Sequence, residues 1–472
     1  MLGLAGPKDR VTWGHTISTA GSMGGQRSSS ATACEPPAGF VGLLDWATRR
    51  GLILRSCVPS EEVEEGGRGI VATERVPPNT ALCEIPERLI LTARRSSVKR
   101  LGLSSLDVLA VELLIQRKRG DTNPYLSSLP TTYTNLHHWS ARAAAELQCQ
   151  DFIKHHGRLR DQALQDWKAV RETGGCAWCN FEDYLWARST ILSRSVYIPG
   201  PGNEAGGLVP VGDMFNYAPP AGPDPPLPPC FLDYYLRDEA EAKVDGQEAK
   251  RRKRGSESTY FAGVSGSGAY DEKSECFIFR SGQRGYEAGE QIFVTYGMYT
   301  NRSLLEIYGF LLEDNPQDSV NLASVIDGDV LDGAAAAKLG SCFEVYQDGF
   351  PSWDLLCLVR WKAACLSHRG GKREARRIQT GCPCTLDLEA EAIEYLQEIC
   401  SERLRRYDTS ASQDEVILSG LGGKEGGEGG LMELAVRWRL CQKRILIRAV
   451  GMCEAYLEYL NGPGALSPSF TV

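Results

Sequence analysis

The spacing of apolar residues along this chain changes period several times. From Phe40 to Arg50 they recur at helical spacing. Short apolar runs follow at Ile70-Val71-Ala72, Ala81-Leu82-Cys83-Glu84-Ile85 and Leu89-Ile90-Leu91. Gly, Pro and Asn separate them, as in VPPNT, which predicts strands joined by turns. Residues 104–198 read as helical. Ser104 or Ser105 can cap a helix through Ile115, and further segments fall at 140–172 and 181–193. The Asn123-Pro124 and Leu129-Pro130 steps break the pattern between them. Residues 199–312 return to Gly/Pro turns and strand-like runs at Phe277–Phe279 and Gln291–Thr295. Beyond residue 318 the chain is mainly helical, clearest at Trp353–Ser367, Leu386–Tyr407 and Leu431–Leu460.

Composition adds limits. The 472 residues are 42% hydrophobic and 24% charged, which predicts a globular protein of two or three domains. No apolar run reaches the length of a bilayer-spanning helix. The net charge of −8 argues against a general nucleic-acid coat. Sixteen scattered cysteines read as reduced thiols of an intracellular protein. The Cys176/Cys179 and Cys382/Cys384 pairs stand alone, whereas structural zinc takes four ligands, so no metal site is expected. None of the six histidines lies near the polar cluster at 213–217 in sequence, which lowers the case for a histidine-based triad.

Three segments carry biased composition. Residues 1–38 are rich in Ser, Gly, Ala and Thr and read as a disordered extension; their dearth of acids is also compatible with an organellar transit segment. PPAGPDPPLPP (219–229) reads as a stiff loop, and the charged stretch 237–258 as disordered. GGKEGGEGG (422–430) reads as a flexible loop.

Four stretches combine glycine turns with polar or phenolic groups. EEGGRGIVA (64–72) lets the backbone approach a ligand closely, although alone it equally describes a tight turn. WARSTILSR (186–194) ends on Arg194, placed to hold a carboxylate or to form a surface ion pair. GGLVPVGDMFNYAPP (206–220) sets Asp213, Asn216 and Tyr217 against an apolar run, where polar groups need partners. IFVTYGMYTNRSLLEIYGFLLEDNP (292–316) places Tyr296 at a strand end and Tyr308 on the following helix. A structural hydrogen bond is the plain alternative for both phenols.

Together these stretches resemble the SET-domain methyltransferases, in the branch similar to the Rubisco large-subunit methyltransferase. GRGIVA resembles that branch's first cofactor loop. NPYLSSLP (123–130) and FEDYLWARSTILSR (181–194) resemble phrases of its helical insert. LVPVGDMFNY resembles its LxPxxDxxNH motif. GEQIFVTYG (289–297) with NRSLLEIYGFLLEDNP (301–316) resembles its catalytic-tyrosine segment. RRYDTSASQDEVIL (405–418) and LAVRWRLCQKRIL (434–446) resemble its helical substrate-binding domain. The resemblance spans roughly residues 40–460 and is specific as a set.

The resemblance implies an α+β SET fold: small curved sheets, a knot-like crossing, a helical insert and an all-α C-terminal domain. The expected division is 39–103 and 199–317 for the two SET parts, 104–198 for the insert and 318–465 for the helical domain. It implies methyl transfer from S-adenosylmethionine to a side-chain nitrogen of a protein, with no metal. Carried over by position, Gly66, Gly67, Arg68 and Gly69 would face the cofactor's methionine part, and Arg194 its carboxylate. Asn216 and Tyr217 would hold the cofactor, and Tyr308 would wall the channel. Asp213 would buttress the crossing or face the substrate channel. Tyr296 would place its hydroxyl near the transferring methyl.

Two departures bear on this reading. The family usually has His where this chain has Tyr217, which leaves open a backbone contact or stacking on adenine. A relative acting on actin histidine carries Asn two places after the motif Arg and Trp just before the motif Asp; here those are Val196 and Gly212, which favours lysine as acceptor. The expected partner is therefore a non-histone protein with an acceptor lysine, bound by a monomer in the cytoplasm or nucleus, with the chloroplast as the other address. Competing expectations are a methyltransferase acting on a histidine side chain or a histone, a partner-binding module with a relic SET core, and nucleic-acid or chromatin association through KRRKR (250–254).

Overall fold

The computed structural model describes residues 37–63, 67–96, 98, 102–120, 123–173, 176–220, 263–366, 378, 385–421 and 427–462. Gly66, the inserts beyond Pro220, KRRKR and the Cys382/Cys384 pair lie outside the described residues, as do residues 1–36.

Thirteen short strands are described: β1 (Ile53–Leu54), β2 (Cys57–Ser60), β3 (Gly69–Ala72), β4 (Ala81–Pro86), β5 (Leu91–Thr92), β6 (Ser195–Val196), β7 (Gly207–Leu208), β8 (Asn216–Tyr217), β9 (Ser267–Asp271), β10 (Cys276–Arg280), β11 (Gln291–Val294), β12 (Ser319–Asn321) and β13 (Glu344–Tyr346). They form small sheets in the orders β1-β4-β10-β9, β2-β3-β11-β8 and β5-β7-β6, with β12-β13 as a separate pair. In β10 the period of two is visible: Phe277 and Phe279 are buried, while Cys276 and Ile278 are only partly covered.

β8 runs parallel to β11, pairing Asn216 with Phe293 and Tyr217 with Val294. On the other side of the same segment, Gly266 N donates to Phe293 O and Thr295 N donates to Gly266 O. The strand leading to Tyr296 is therefore held between 216–218 and 264–266, stretches far apart in sequence.

The helices are α1 (Ala38–Thr48), α2 (Ser105–Arg119), α3 (Pro124–Ser128), α4 (Ala141–Ala145), α5 (Gln150–Glu172), α6 (Phe181–Arg194), α7 (Asn301–Ile307), α8 (Gly328–Ala336), α9 (Trp353–Leu366), α10 (Leu386–Arg405), α11 (Ala411–Leu421) and α12 (Gly427–Asn461). α2 starts where its cap predicts. Ser104 Oγ accepts from Asp107 N and donates to Asp107 Oδ2, and Gly120 closes the helix at φ 65°. Asn180 caps α6 by accepting from Asp183 N at 2.8 Å.

One large core joins the strands to α1, α2 and α6, and a second joins β12, β13 and helices α8, α9, α10 and α12. Trp139, Phe152, Leu305 and Trp438 build a third core that fastens the helical insert and α7 to α12. Two expectations shift. Leu89 ends a short 3-10 turn rather than starting a strand, and α12 begins at Gly427, inside the stretch expected to be a loop. Ser140 Oγ donates to Glu428 Oε1 at 2.9 Å and anchors that first turn against the insert. No helix among the described residues is long and apolar enough to cross a membrane.

Candidate active site

The stretch 206–220 enters as β7 and turns sharply at Val211, whose φ of 70° and ψ of −43° lie in the region of a tight γ-turn. A branched side chain there is strained, at a cost of roughly 1–3 kcal/mol. The following residue must be small. A Cβ on Gly212 would lie 2.4 Å from a Phe279 ring carbon and 2.5 Å from Ile85 Cδ1. A 3-10 turn over Gly212–Met214 then delivers Asp213, Phe215 and Asn216 in quick succession.

The Asp213 side chain is 1% exposed and carries a charge partner. Arg194, at the end of α6, donates from Nη1 to the Asp213 carbonyl at 3.0 Å and to Oδ2 at 3.2 Å. Tyr125 of α3 donates its phenol to the same Oδ2 at 3.0 Å. Burial works against the Arg194 charge, but the Asp213 carboxylate more than offsets it, so the guanidinium is held above its ordinary value. Arg194 Nε and Asp213 Oδ1 are buried and without hydrogen-bond partners among the described residues.

The glycine loop lies beside this pair. Asn216 Nδ2 donates to the Arg68 carbonyl at 2.9 Å, and Arg68 Nη1 donates to the Ser128 carbonyl at 2.6 Å. Gly67 adopts φ 80°, which suits glycine alone. A Cβ on Gly69 would sit 2.9 Å from Val63 Cγ1, 3.0 Å from Asn216 Nδ2 and 3.2 Å from Gln291 Oε1. Both polar atoms of the Gln291 amide are buried and unpartnered among the described residues.

Next to them stands a cluster of aromatic rings. Tyr296 stacks at a tilt on Tyr217 (5.2 Å between centroids) and on Tyr308 (5.1 Å). Tyr308 also meets Tyr299 at 5.7 Å and Phe310 at 6.0 Å. The Tyr296 phenol donates to the Phe215 carbonyl at 2.6 Å. Burial raises the pKa of Tyr296, with Arg194 pulling the other way, and burial likewise raises Tyr308. Both stay protonated at neutral pH. Tyr217 is 2% exposed, is pushed up to about 12 by burial, and donates to the Gly297 carbonyl at 3.0 Å. Its ring is enclosed between Tyr296 and Phe310, so it supports the tyrosine turn from behind and offers no open face for stacking.

Asn216 is thus hydrogen-bonded to Arg68, with Gly69 beside it, Arg194 is paired with Asp213, and Tyr217, Tyr296 and Tyr308 are in ring contact. Val196 lies two residues past Arg194 on the edge strand β6, opposite Gly207, partly buried against the same core as Tyr296. Sequence reasoning missed Tyr125, Tyr133, Gln291 and Phe310. Tyr125 stands inside the quoted NPYLSSLP phrase, yet its partner Asp213 lies 88 residues away. Tyr133, whose phenol meets Thr190 Oγ1 at 2.8 Å, flanks Arg194.

Comparison with known proteins places this geometry. A family model described as Rubisco LSMT substrate-binding matches residues 334–446. Protein SET DOMAIN GROUP 40 of Arabidopsis thaliana is 28% identical over 381 residues, covering 76% of this chain and 72% of that one. The actin-histidine N-methyltransferase of Homo sapiens is 23% identical over 466 residues, covering 89% and 69%. The crystal structure of the SET domain of LSMT bound to lysine and AdoHcy superposes with a TM-score of 0.60 at 18% identity, covering 90% of this chain and 92% of that one. Rubisco LSMT bound to AdoMet gives 0.57 at 17% identity, covering 90% and 93%. The chain shares the fold of these LSMT SET-domain structures, and residues 334–446 in its C-terminal helices match the LSMT substrate-binding family.

Proposed function

We propose that this chain is an S-adenosylmethionine-dependent protein N-methyltransferase whose acceptor is a lysine of a non-histone protein. The observation that carries the reading is the Tyr296 phenol, held on the Phe215 carbonyl within two residues of the Asp213–Arg194 pair. The solved LSMT structures, bound to AdoHcy or AdoMet, support the cofactor.

The residues present fit that cofactor. A cradle exists at Gly69, where a side chain would fill the space beside Asn216 and Gln291. Arg194 Nε and the Gln291 amide are buried polar groups with unused hydrogen-bonding capacity. Gly67 and Gly69 would present backbone to the methionine part, and Arg194 would offer its Nε edge to the carboxylate. Asn216, fixed on the Arg68 carbonyl, would hold the nucleoside side, with backbone of Tyr217 beside it. Bound S-adenosylmethionine supplies a sulfonium methyl, an electrophile that a neutral amine can attack.

Tyr296 stays a neutral phenol, so its free lone pairs can orient an acceptor nitrogen without taking a methyl themselves. An amine brought among Tyr296, Tyr308 and Tyr299 loses water, which lowers its pKa and favours the nucleophilic form. Asp213 steadies Arg194 and would buttress the crossing or, through its unpartnered Oδ1, face the substrate channel. The helical region 318–465 would present the protein substrate.

Lysine fits better than histidine. Val196 has no side-chain amide to hold an imidazole, and Gly212 packs so closely on Phe279 and Ile85 that a Trp there would require repacking.

The test is transfer from labelled S-adenosylmethionine to a cell extract, with mass spectrometry of the labelled site. A methylated lysine that disappears with Tyr296→Phe supports the proposal. Label on histidine would overturn the acceptor assignment. Failure to bind the cofactor at millimolar concentration would leave a partner-binding module instead.

A further inference from the structure

A second site lies away from the tyrosine cluster. A cavity of about 230 Å³ opens between α1, the segment 88–96 and α2. Trp46, Arg50, Arg88, Thr92, Arg95 and Glu112 are the lining residues that matter. None of them belongs to the candidate active site.

The charge balance of this cavity is opposite to that of the whole chain, with three guanidinium groups against one carboxylate. That carboxylate is already committed: Glu112 Oε2 accepts from Ser96 Oγ at 2.7 Å and Oε1 from Gln116 Nε2 at 2.9 Å. The arginines have no acidic partner among the described residues. Each is instead aimed by one bond to a backbone carbonyl. Arg50 Nη1 donates to Trp46 O at 3.2 Å, Arg88 Nε to Arg50 O at 2.8 Å, and Arg95 Nη1 to Glu87 O at 2.7 Å. A guanidinium has five N–H donors, so most remain for a ligand. The Arg50 guanidinium also lies 4.8 Å from the Trp46 ring centroid, which further restrains it.

An independent observation points the same way. Thr92 is 4% exposed, and its Oγ1 is buried with no hydrogen-bond partner among the described residues. A buried hydroxyl without a partner is unfavourable. A ligand oxygen at this wall would relieve that cost.

We propose that this cavity binds a phosphomonoester dianion. Its volume lies below the roughly 300–1,000 Å³ usual for pockets that take drug-sized ligands. A phosphoryl group carries about −1.5 to −2 charge at neutral pH and three strong acceptor oxygens, which matches several convergent arginines and one hydroxyl. The group can arrive as free phosphate or on a phosphorylated serine. The site is independent of the methyl-transfer reading.

The experiment titrates the full chain calorimetrically with inorganic phosphate, then with O-phosphoserine, at constant ionic strength set by chloride. Saturable binding at one site is expected. Arg88→Gln with Arg95→Gln should weaken it by at least about tenfold, the size of losing one charge-assisted hydrogen bond. Arg50→Gln, on an exposed side chain, gives the same reading if the double variant does not fold. Thr92→Val should weaken binding by a smaller factor. Tighter binding of O-phosphoserine identifies a phosphorylated side chain as the source; equal or weaker binding identifies free phosphate. No saturable binding at ten millimolar, or binding unchanged in a folded arginine variant, overturns the proposal.

Discussion

The phenol of Tyr296 reaches across the crossing and donates to the carbonyl of Phe215 at 2.6 Å. That bond spans 81 residues of sequence and ties the end of β11 to the turn that carries Asp213. Removing the hydroxyl alone tests the role of the phenol. Tyr296→Phe keeps the ring contacts to Tyr217 and Tyr308 and is expected to fold normally. Methyl transfer should fall by roughly 10²-fold or more, the usual cost of losing one group that organises the transition state. S-adenosylmethionine affinity, measured by calorimetry, should stay near the wild-type value. Full activity in the variant would remove Tyr296 from the chemistry.

Tyr217 acts on that phenol from behind. Its own hydroxyl donates to the Gly297 carbonyl, one residue past Tyr296, where φ is 139°. Tyr217→Phe should cost about 1 kcal/mol in urea unfolding, the typical net value of such a bond. Because the turn is loosened while the proposed cofactor cradle is untouched, turnover should drop more than cofactor affinity. A loss confined to cofactor affinity would instead place Tyr217 on the nucleotide.

How much of this was legible in the sequence depended on the range of the contacts. The α2 cap at Ser104 and the placement of Tyr296 at a strand end are local, and local patterns predicted them. The polar residues of LVPVGDMFNY signalled that partners must exist, but not which ones. Tyr125 and Arg194 come from α3 and α6, and only the tertiary fold brings them to Asp213. The knot-like crossing came from resemblance and not from periodicity, since a two-residue parallel strand leaves no pattern. α11 was also missed as a separate helix. Its sequence, ASQDEVILSGL, presents no helical apolar stripe, and what fixes it is a buried Asp.

That buried carboxylate is Asp414, and it holds the C-terminal helices to the insert. Arg439 of α12 donates to Asp414 Oδ1 at 2.8 Å and to Glu146 Oε2 at 2.9 Å, while Lys443 bonds Asp414 Oδ2 and the Thr409 carbonyl. The Arg439, Asp414 and Lys443 side chains are almost fully buried. Arg439→Met leaves Asp414 with one cation and Glu146 with none, and should destabilise by about 3–5 kcal/mol. Replacing Arg439, Asp414 and Lys443 together by apolar residues of similar volume should recover most of that loss, because desolvation opposes the intact cluster too. Chemical unfolding of both variants distinguishes this account from simple packing, for which the triple variant would be the worse.

Asp318 makes the same junction sensitive to pH. Its Oδ1 accepts from Asn301 N at 2.9 Å and its Oδ2 from Asn301 Nδ2 at 2.8 Å, with Gln442 of α12 at 3.4 Å. Burial pushes its carboxyl up from 3.8 to about 6, against the pull of the Asn301 donors. The folded protein therefore holds this proton more tightly than the unfolded chain. Stability from this group is fully present below pH 4 and is lost as the pH rises through about 6. A change of this size corresponds to roughly 3 kcal/mol. Asp318→Asn removes the titration, although it also replaces an acceptor with an amide. The informative quantity is thus the difference in urea unfolding free energy between wild type and variant, followed with pH. It should shift by a few kcal/mol against the wild type between pH 4 and 7, with its midpoint between the unfolded and folded values. A difference that stays flat across that range would mean that Asp318 remains ionised in the fold.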